Sequence, residues 1–184
     1  MQKFYKWVLK VLGWQSEYPD FPLLDKMMVC LAPHTSNWDF VYGRLSYATL
    51  GIRVSFLIKS DWLIGPVGWW MRKIGAIGVD RQGHHSLTDQ LAQKFAESDR
   101  LHLAIAPEGT RKRNPDWKMG FYYVALKAQV PILLAGLDYA EKRVKFLGLF
   151  TPTGDAQADI KAIKRRYIGV TARRPELFDL GDTD

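Results

Sequence analysis

Short apolar segments alternate with amphipathic, helix-like segments along most of the chain, and this alternation constrains the fold more than any other feature. Strands are predicted at residues 27–32, 53–58, 76–79, 101–106, 131–137 and 144–149. Helices are predicted between and after them, at residues 38–50, 65–73, 87–97, 119–128 and 156–167. The pattern indicates an α/β domain with a largely parallel central sheet flanked by helices. Ligands of such sheets usually bind beyond the carboxyl ends of the strands.

The 184 residues are enough for a single domain with its own core. We expect a short amphipathic helix on a membrane surface at residues 1–18, the α/β domain at 19–174, and an acidic, loosely held tail at 175–184. The sequence Asp20-Phe21-Pro22 marks the break before the domain. There is no internal repeat and no low-complexity tract in this sequence.

The first 14 residues have the pattern of a helix with two unlike faces. The apolar residues recur at helical spacing, at Phe4, Trp7, Val8 and Val11. The basic residues gather on the opposite side, at Lys3, Lys6 and Lys10. A basic face beside an aromatic face favours contact with an anionic membrane surface, although a helix packed on its own domain is the alternative.

Charge and aromatic content are consistent with a peripheral membrane protein. The net charge of +7 suits an anionic partner, and the seven Trp residues suit either a membrane interface or a Trp-rich core. No apolar run approaches the roughly 20 residues that span a bilayer. Lysines interrupt the apolar positions of the N-terminus, so a secretory signal is not expected.

The cysteine and histidine content predicts neither disulfides nor a metal site. Cys30 is the single cysteine, which favours a reducing compartment and hence the cytoplasmic face of the membrane. It lies in an apolar run, so an inert core thiol is expected. His84 and His85 are adjacent and cannot share a helix face, and His102 is isolated, so no metal ligand set is predicted.

The first polar segment with chemical potential follows the strand at 27–32. His34 comes directly after this strand, and Asp39 follows five residues later. A strand-to-helix turn can bring the two side chains together, and a carboxylate on one imidazole nitrogen leaves the other as a base. The alternative is a turn with a helix cap, in which Asn37 is a possible cap of the helix at 38–50.

Two more polar segments follow other strands. Residues 108–111, Glu-Gly-Thr-Arg, come after the strand at 101–106, and Asp80-Arg81 comes after the strand at 76–79. Exposed basic turns and structural ion pairs are the alternatives for each segment alone. Because the carboxyl ends of parallel strands meet at one edge, the three segments together predict a site that handles an anion.

Taken in order, these segments resemble the motifs of the glycerolipid acyltransferase family, which includes the lysophosphatidic acid acyltransferases. The first motif, a His and an Asp with four residues between them, is matched by His34 to Asp39. The second and third resemble Gly-Ala-Ile-Gly-Val-Asp-Arg at 75–81 and Ala-Pro-Glu-Gly-Thr-Arg at 106–111. The fourth is similar to Val-Pro-Ile at 130–132. Four motifs in this order are far more specific than any one of them.

The resemblance implies transfer of a fatty acyl group from a thioester to a glycerolipid hydroxyl in phospholipid synthesis. It implies that His34 is the general base and that Asp39 orients it. Arg81 and Arg111 would bind the acceptor's phosphate, and Glu108 would orient Arg111 or the glycerol hydroxyl. No cofactor is implied, since acyl-CoA or acyl-carrier protein acts as co-substrate and a lysophospholipid as acceptor.

Gly109 and Thr110 complete the substrate-binding residues that the resemblance implies. Backbone N–H groups near Gly109 are candidates for stabilising the oxyanion. The sequence departs from the family's usual pattern at Ala106, which replaces an aromatic residue, and at Lys112 and Leu134. These departures leave the acceptor and the acyl-chain preference open.

Three other interpretations compete with this one. In the first, the protein is an acyltransferase whose acceptor is a different lysophospholipid, an amino-acid-derived lipid or a glycan-linked lipid. The second is a non-catalytic lipid-binding protein on the membrane, which has no need of the pair His34 and Asp39. The third is a nucleic-acid binder, suggested by the net charge of +7 and the basic run at 161–166. We expect no nucleic-acid partner, because that run has the pattern of an ordinary solvated helix face.

Overall fold

A computed structural model describes residues 1–79 and 86–183 of the chain. Its α-helices are α1 (Gln2–Val11), α2 (Asn37–Thr49), α3 (Gly65–Lys73), α4 (Leu87–Glu97), α5 (Gly120–Ala128) and α6 (Ala156–Arg165). Its strands are β1 (Gln15–Ser16), β2 (Lys26–Ala32), β3 (Val54–Lys59), β4 (Ala76–Val79), β5 (Leu101–Ile105), β6 (Ile132–Asp138) and β7 (Arg143–Phe150). Short 3₁₀-helices occupy Ser60–Leu63 and Pro175–Leu177.

The strands form one sheet in the order β1-β7-β6-β2-β5-β3-β4. Each neighbouring pair is parallel except β6 and β7, which are antiparallel. The predicted α/β domain with a largely parallel sheet is therefore confirmed. The sequence did not predict β1, whose two residues are too few to show a strand pattern.

Strand β2 lies between β5 and β6 at the centre of the sheet. Its alternate residues face opposite sides, because side chains alternate along a strand. Met28 and Cys30 belong to the core cluster on one face, and Met27 and Val29 belong to the cluster on the other. This double burial explains the continuous apolar run in the sequence and holds rigid the strand end that carries His34.

Helix α2 begins one residue before the predicted start, and its cap is Ser36 rather than Asn37. The Ser36 hydroxyl accepts a hydrogen bond from the Trp38 N–H at 3.2 Å. The Asp39 carboxylate accepts one from the Ser36 N–H at 2.7 Å, which completes a capping box. Asn37 was a wrong choice because its own side chain has another partner, Arg111.

Helix α1 packs on the domain and also exposes most of its apolar face. Leu9 is buried in a cluster with Trp14, Leu137 and Val144. By contrast, Phe4 and Trp7 are each 60% exposed. In the part of the chain that the structure describes, no helix combines the length and apolar character needed to cross a bilayer.

The tail after Pro175 is held against the domain, so the expectation of a loose tail was wrong. Phe178 and Leu180 pack against the larger core cluster. The Asp179 carboxylate accepts a 2.7 Å ion-pair contact from Arg113. Acidic composition suggested solvent exposure, but the apolar residues Phe178 and Leu180 are partly buried against the core instead.

Candidate active site

The pair His34 and Asp39 comes together at the carboxyl end of β2, as predicted. His34 follows the end of β2 by two residues, and Asp39 is in the first turn of α2. The His34 Nδ1 and Asp39 Oδ2 atoms are 3.3 Å apart, and the Asp39 side chain is fully buried. The Nδ1 atom is not aligned for a hydrogen bond at this separation. Such contacts tighten on substrate binding in many enzymes.

Tyr139 holds the carboxylate that faces His34. Its hydroxyl donates a 2.6 Å hydrogen bond to Asp39 Oδ1, while the Ser36 N–H binds Oδ2. Burial and the adjacent Asp39 carboxylate raise the pKa of Tyr139, so its phenol stays protonated and keeps donating. Tyr139 could not be predicted from the sequence, because it is separated from Asp39 by 100 positions and belongs to no motif.

The Glu108 carboxylate contacts the backbone of the segment that carries His34. The Glu108 Oε2 atom accepts a 2.8 Å hydrogen bond from the His34 N–H. Burial raises the pKa of Glu108 to about 8, the His34 N–H opposes this rise, and the Asp39 charge adds to it. The expected orientation of Arg111 by Glu108 is not observed, since Arg111 donates to the Asn37 side-chain oxygen instead.

Gly109 shapes the turn after Glu108. Its φ of 65° lies in the left-handed region, and a Cβ there would be 2.7 Å from the side-chain carbons of Lys118. The Gly109 N–H donates a 3.2 Å hydrogen bond to the Ala106 carbonyl. This N–H is therefore occupied and is a poor oxyanion donor. The neighbouring Thr110 hydroxyl accepts a 3.2 Å hydrogen bond from the Lys112 N–H.

The convergence of the three segments is confirmed for two of them. His34 and Glu108 are in direct contact, and Asn37 and Arg111 join the same two segments a second time. Arg81, the predicted phosphate ligand of the third segment, lies outside the described residues, as do His84 and His85.

An apolar cavity of about 420 Å³ opens beside His34. Its wall is built mainly of aliphatic and aromatic side chains from the sheet and from α2, α4 and α5, including Phe40, Leu57, Leu91, Phe121 and Val124. Cavities of this composition suit hydrocarbon ligands, because binding removes the apolar surfaces of both the ligand and the cavity wall from water.

A wider and more polar cleft, of about 1080 Å³, opens on the other side of His34. Four basic residues line it, namely Arg111, Lys112, Arg173 and Arg174. His34, Phe40, Ala106 and Gly109 line both spaces, so the cavity and the cleft meet at the predicted base. Arg173 and Arg174 were not predicted, because they lie about 140 positions after His34 and far from every motif.

Cys30 is fully buried, and burial raises the pKa of its thiol to about 12. It therefore remains a protonated core side chain, as expected. His102 is also buried, and one of its ring nitrogens lies 2.8 Å from the Leu24 carbonyl oxygen. Neither residue lines the cavity or the cleft.

The chain is similar to known acyltransferases in sequence and in fold. A 1-acyl-sn-glycerol-3-phosphate acyltransferase of Streptococcus pneumoniae is 29% identical over 113 residues, which cover 61% of this chain and 42% of that relative. The chain thus matches less than half of the length of this curated relative. The crystal structure of PlsC, a 1-acyl-sn-glycerophosphate (LPA) acyltransferase of Thermotoga maritima, superposes with a TM-score of 0.60 at 17% identity. The match covers 92% of this chain and 74% of that one, and at this identity it establishes the shared fold.

The sequence model of the Acyltransferase family matches residues 16–135, more than half of the chain. This range contains His34, Asp39, Glu108 and Arg111, whereas Tyr139 and the segment with Arg173 and Arg174 lie beyond it. The resemblance stated from the motifs is confirmed, and the chain belongs to the Acyltransferase family.

Proposed function

We propose that this protein transfers a fatty acyl group from an acyl thioester to the hydroxyl of a lysophosphatidate-like glycerolipid. The observation that carries the proposal is the position of His34, between an apolar cavity and a basic cleft. A reaction that joins a hydrocarbon chain to a phosphorylated alcohol needs both environments at one base. The names of the pneumococcal relative and of the Thermotoga structure support the same activity.

The reaction begins with deprotonation of the acceptor. His34 Nε2 takes the hydroxyl proton while the hydroxyl oxygen attacks the thioester carbonyl, and Asp39 stabilises the resulting imidazolium. The tetrahedral intermediate then collapses, the C–S bond breaks, and the thiolate leaves with the proton returned from His34. Tyr139 donates a hydrogen bond to the Oδ1 atom of Asp39 and so keeps the carboxylate in place throughout the reaction.

The two spaces beside His34 accommodate the two parts of the substrates. The apolar cavity takes the acyl chain, and Arg111 in the basic cleft takes the acceptor's phosphate. Thr110 lines the same cleft. Acyl-CoA and acylated acyl-carrier protein both carry the acyl group as a thioester, and either can serve as the donor in this proposal.

The enzyme works, on this proposal, while attached to the cytoplasmic face of an anionic membrane. The exposed Phe4 and Trp7 of α1 would enter the lipid interface, with the basic residues of the helix at the head groups. Five of the seven Trp residues have exposed side chains, namely Trp7, Trp38, Trp62, Trp69 and Trp70. Exposed Trp side chains at this frequency favour an interface over a Trp-rich core.

Release of free thiol tests the proposed chemistry. Purified protein is given acyl-CoA, or acyl-carrier protein loaded with a fatty acyl thioester, together with lysophosphatidate, and released thiol is followed with a chromogenic reagent. We expect acceptor-dependent release, and we expect His34→Ala to lower kcat by roughly 100-fold or more. Circular dichroism controls for folding of the variant.

A panel of acceptors separates the competing interpretations. Another lysophospholipid, an amino-acid-derived lipid and a glycan-linked lipid are assayed beside lysophosphatidate. A rate for His34→Ala equal to the wild-type rate contradicts the mechanism. Absence of thiol release with every donor and acceptor, together with vesicle binding, favours the non-catalytic lipid binder.

A further inference from the structure

The segment that follows α6 runs along the first catalytic motif and is attached to it at several points. The Tyr139 N–H donates a 2.8 Å hydrogen bond to the Thr171 carbonyl. The Arg174 N–H donates a 3.3 Å hydrogen bond to the hydroxyl of Thr35, which is 3% exposed. The backbone of this segment is therefore fixed beside His34 and Asp39, although the family match ends at residue 135.

The two arginines of this segment project into the basic cleft. Both line it together with His34 and Arg111. Arg173 donates a 3.2 Å hydrogen bond to the Ser36 hydroxyl, and its guanidinium carbon lies 5.9 Å from the centre of the Trp38 ring. These contacts hold the Arg173 side chain over the start of α2 and leave other N–H groups of its guanidinium for a ligand.

Among the described residues, no carboxylate is paired with the basic side chains of the cleft. Throughout residues 1–79 and 86–183, no carboxylate oxygen lies within 4.0 Å of a side-chain nitrogen of Arg111, Lys112, Arg173 or Arg174. The nearby Arg113, outside this set, is paired with Asp179. Four like charges around one cleft repel each other, and an anionic ligand relieves that repulsion.

We infer that Arg173 and Arg174 form a phosphate-binding subsite that this chain adds to the family's motifs. The subsite rests on the proposed function, since it binds a phosphate group of one of the two substrates of that reaction. Phosphate fits the guanidinium fork, and the apolar cavity directs the acyl chain away from the cleft. The phosphate belongs either to the acceptor or to the nucleotide part of acyl-CoA. Separate binding measurements with lysophosphatidate and with coenzyme A distinguish these two sources.

Direct binding tests the subsite without turnover. Isothermal titration of the full chain with coenzyme A, with lysophosphatidate and with uncharged monoacylglycerol gives three dissociation constants. We expect the double variant Arg173→Gln/Arg174→Gln to weaken binding of coenzyme A or of lysophosphatidate by about tenfold. Binding of monoacylglycerol should not change. Weakening for coenzyme A alone assigns the subsite to the donor, and weakening for lysophosphatidate alone assigns it to the acceptor.

Two controls separate phosphate binding from a structural role. The cap of α2 is formed by Ser36 with Trp38 and Asp39, so removing the Arg173 charge leaves the capping groups in place. Arg166→Gln removes one exposed charge outside the cleft and should leave all three dissociation constants unchanged. Thermal unfolding of each variant shows whether the fold is intact.

The subsite is overturned if the double variant binds both phosphorylated probes as the wild type does, or if the wild type binds neither. Loss of affinity for monoacylglycerol in equal measure also overturns it, because that result indicates a structural effect. The proposed function fails in a different experiment. A wild-type protein that binds the probes through these arginines but releases no thiol keeps the subsite and loses the acyl transfer.

Discussion

At the scale of single residues, the predicted catalytic pair of His34 and Asp39 is in contact with a side chain that belongs to no motif, Tyr139. Tyr139 donates to the buried Asp39 carboxylate from the turn after β6. Sequence reasoning found His34 and Asp39 because five positions separate them, within one recognisable segment. It had no means of finding Tyr139, because the contact depends on how β6 and β2 pair in the sheet.

Removing the Tyr139 hydroxyl should affect catalysis more than substrate binding. Tyr139→Phe leaves Asp39 Oδ1 buried without a donor, and hydrogen bonds to charged groups are worth roughly 1.5–3 kcal/mol. We expect kcat for thiol release to fall about tenfold with little change in KM. The exposed Tyr123 provides the control, since Tyr123→Phe should have wild-type kinetics. A wild-type kcat in Tyr139→Phe would remove this residue from the positioning of Asp39.

Glu108 should make the stability of the fold depend on pH. Burial raises its pKa from 4.5 to about 8, so the folded protein retains a proton that the unfolded chain releases. Its contribution to stability is fully present below pH 4.5 and is lost as the pH rises to about 8. Above that pH both states are ionised, and the loss levels off.

Glu108→Gln keeps an acceptor for the His34 N–H but cannot ionise. The difference in unfolding free energy, variant minus wild type, should therefore increase between pH 5 and pH 8 by an amount on the order of a few kcal/mol. Urea unfolding of both proteins across this range measures the difference, and titration of all other groups cancels. A difference that stays constant with pH contradicts the assignment.

At the scale of elements, the sequence predicted those with strong periodicity and missed those with weak local signals. Strand β4 and helix α4 have the predicted bounds. Helix α4 begins after Ser86, whose hydroxyl accepts a hydrogen bond from the Asp89 N–H, a start signal that is local in the sequence. The two-residue β1 and the packed tail were missed or misjudged. Their conformations depend on distant partners, β7 for the strand and the core cluster for Phe178 and Leu180.

The same contrast explains which part of the candidate site was predictable. Residues at the ends of β2 and β5 were found because parallel strands bring their carboxyl ends to one edge. Arg173 and Arg174 follow no strand. The Arg174 N–H donates to the Thr35 hydroxyl, and Arg173 donates to the Ser36 hydroxyl. The Tyr139 N–H donates to the Thr171 carbonyl of the same segment. The basic cleft thus forms only when these elements are assembled, and its full set of lining residues can be identified only from the folded structure.

At the scale of the whole molecule, the exposed aromatic residues are not evenly distributed. Helix α1 packs against α2, and Arg44 of α2 donates to the carbonyl of Ile74, directly after α3. Helix α2 therefore contacts both α1 and the end of α3. Exposed apolar side chains occur on all three helices and on the 3₁₀-helix before α3, at Phe4, Trp7, Trp38, Trp62, Val67, Trp69 and Trp70.

Membrane attachment should depend on this set of exposed side chains. We expect Phe4→Ala/Trp7→Ala to weaken co-sedimentation with anionic vesicles by about tenfold or more, because each large side chain contributes roughly 1.5–3 kcal/mol when buried. Raising the salt concentration should weaken binding further, since the α1 lysines act on the lipid charge through water. Tyr123→Ala on α5 removes an aromatic side chain that is 47% exposed from another helix and should bind as the wild type does. If Phe4→Ala/Trp7→Ala and Tyr123→Ala sediment alike, α1 is not the attachment site.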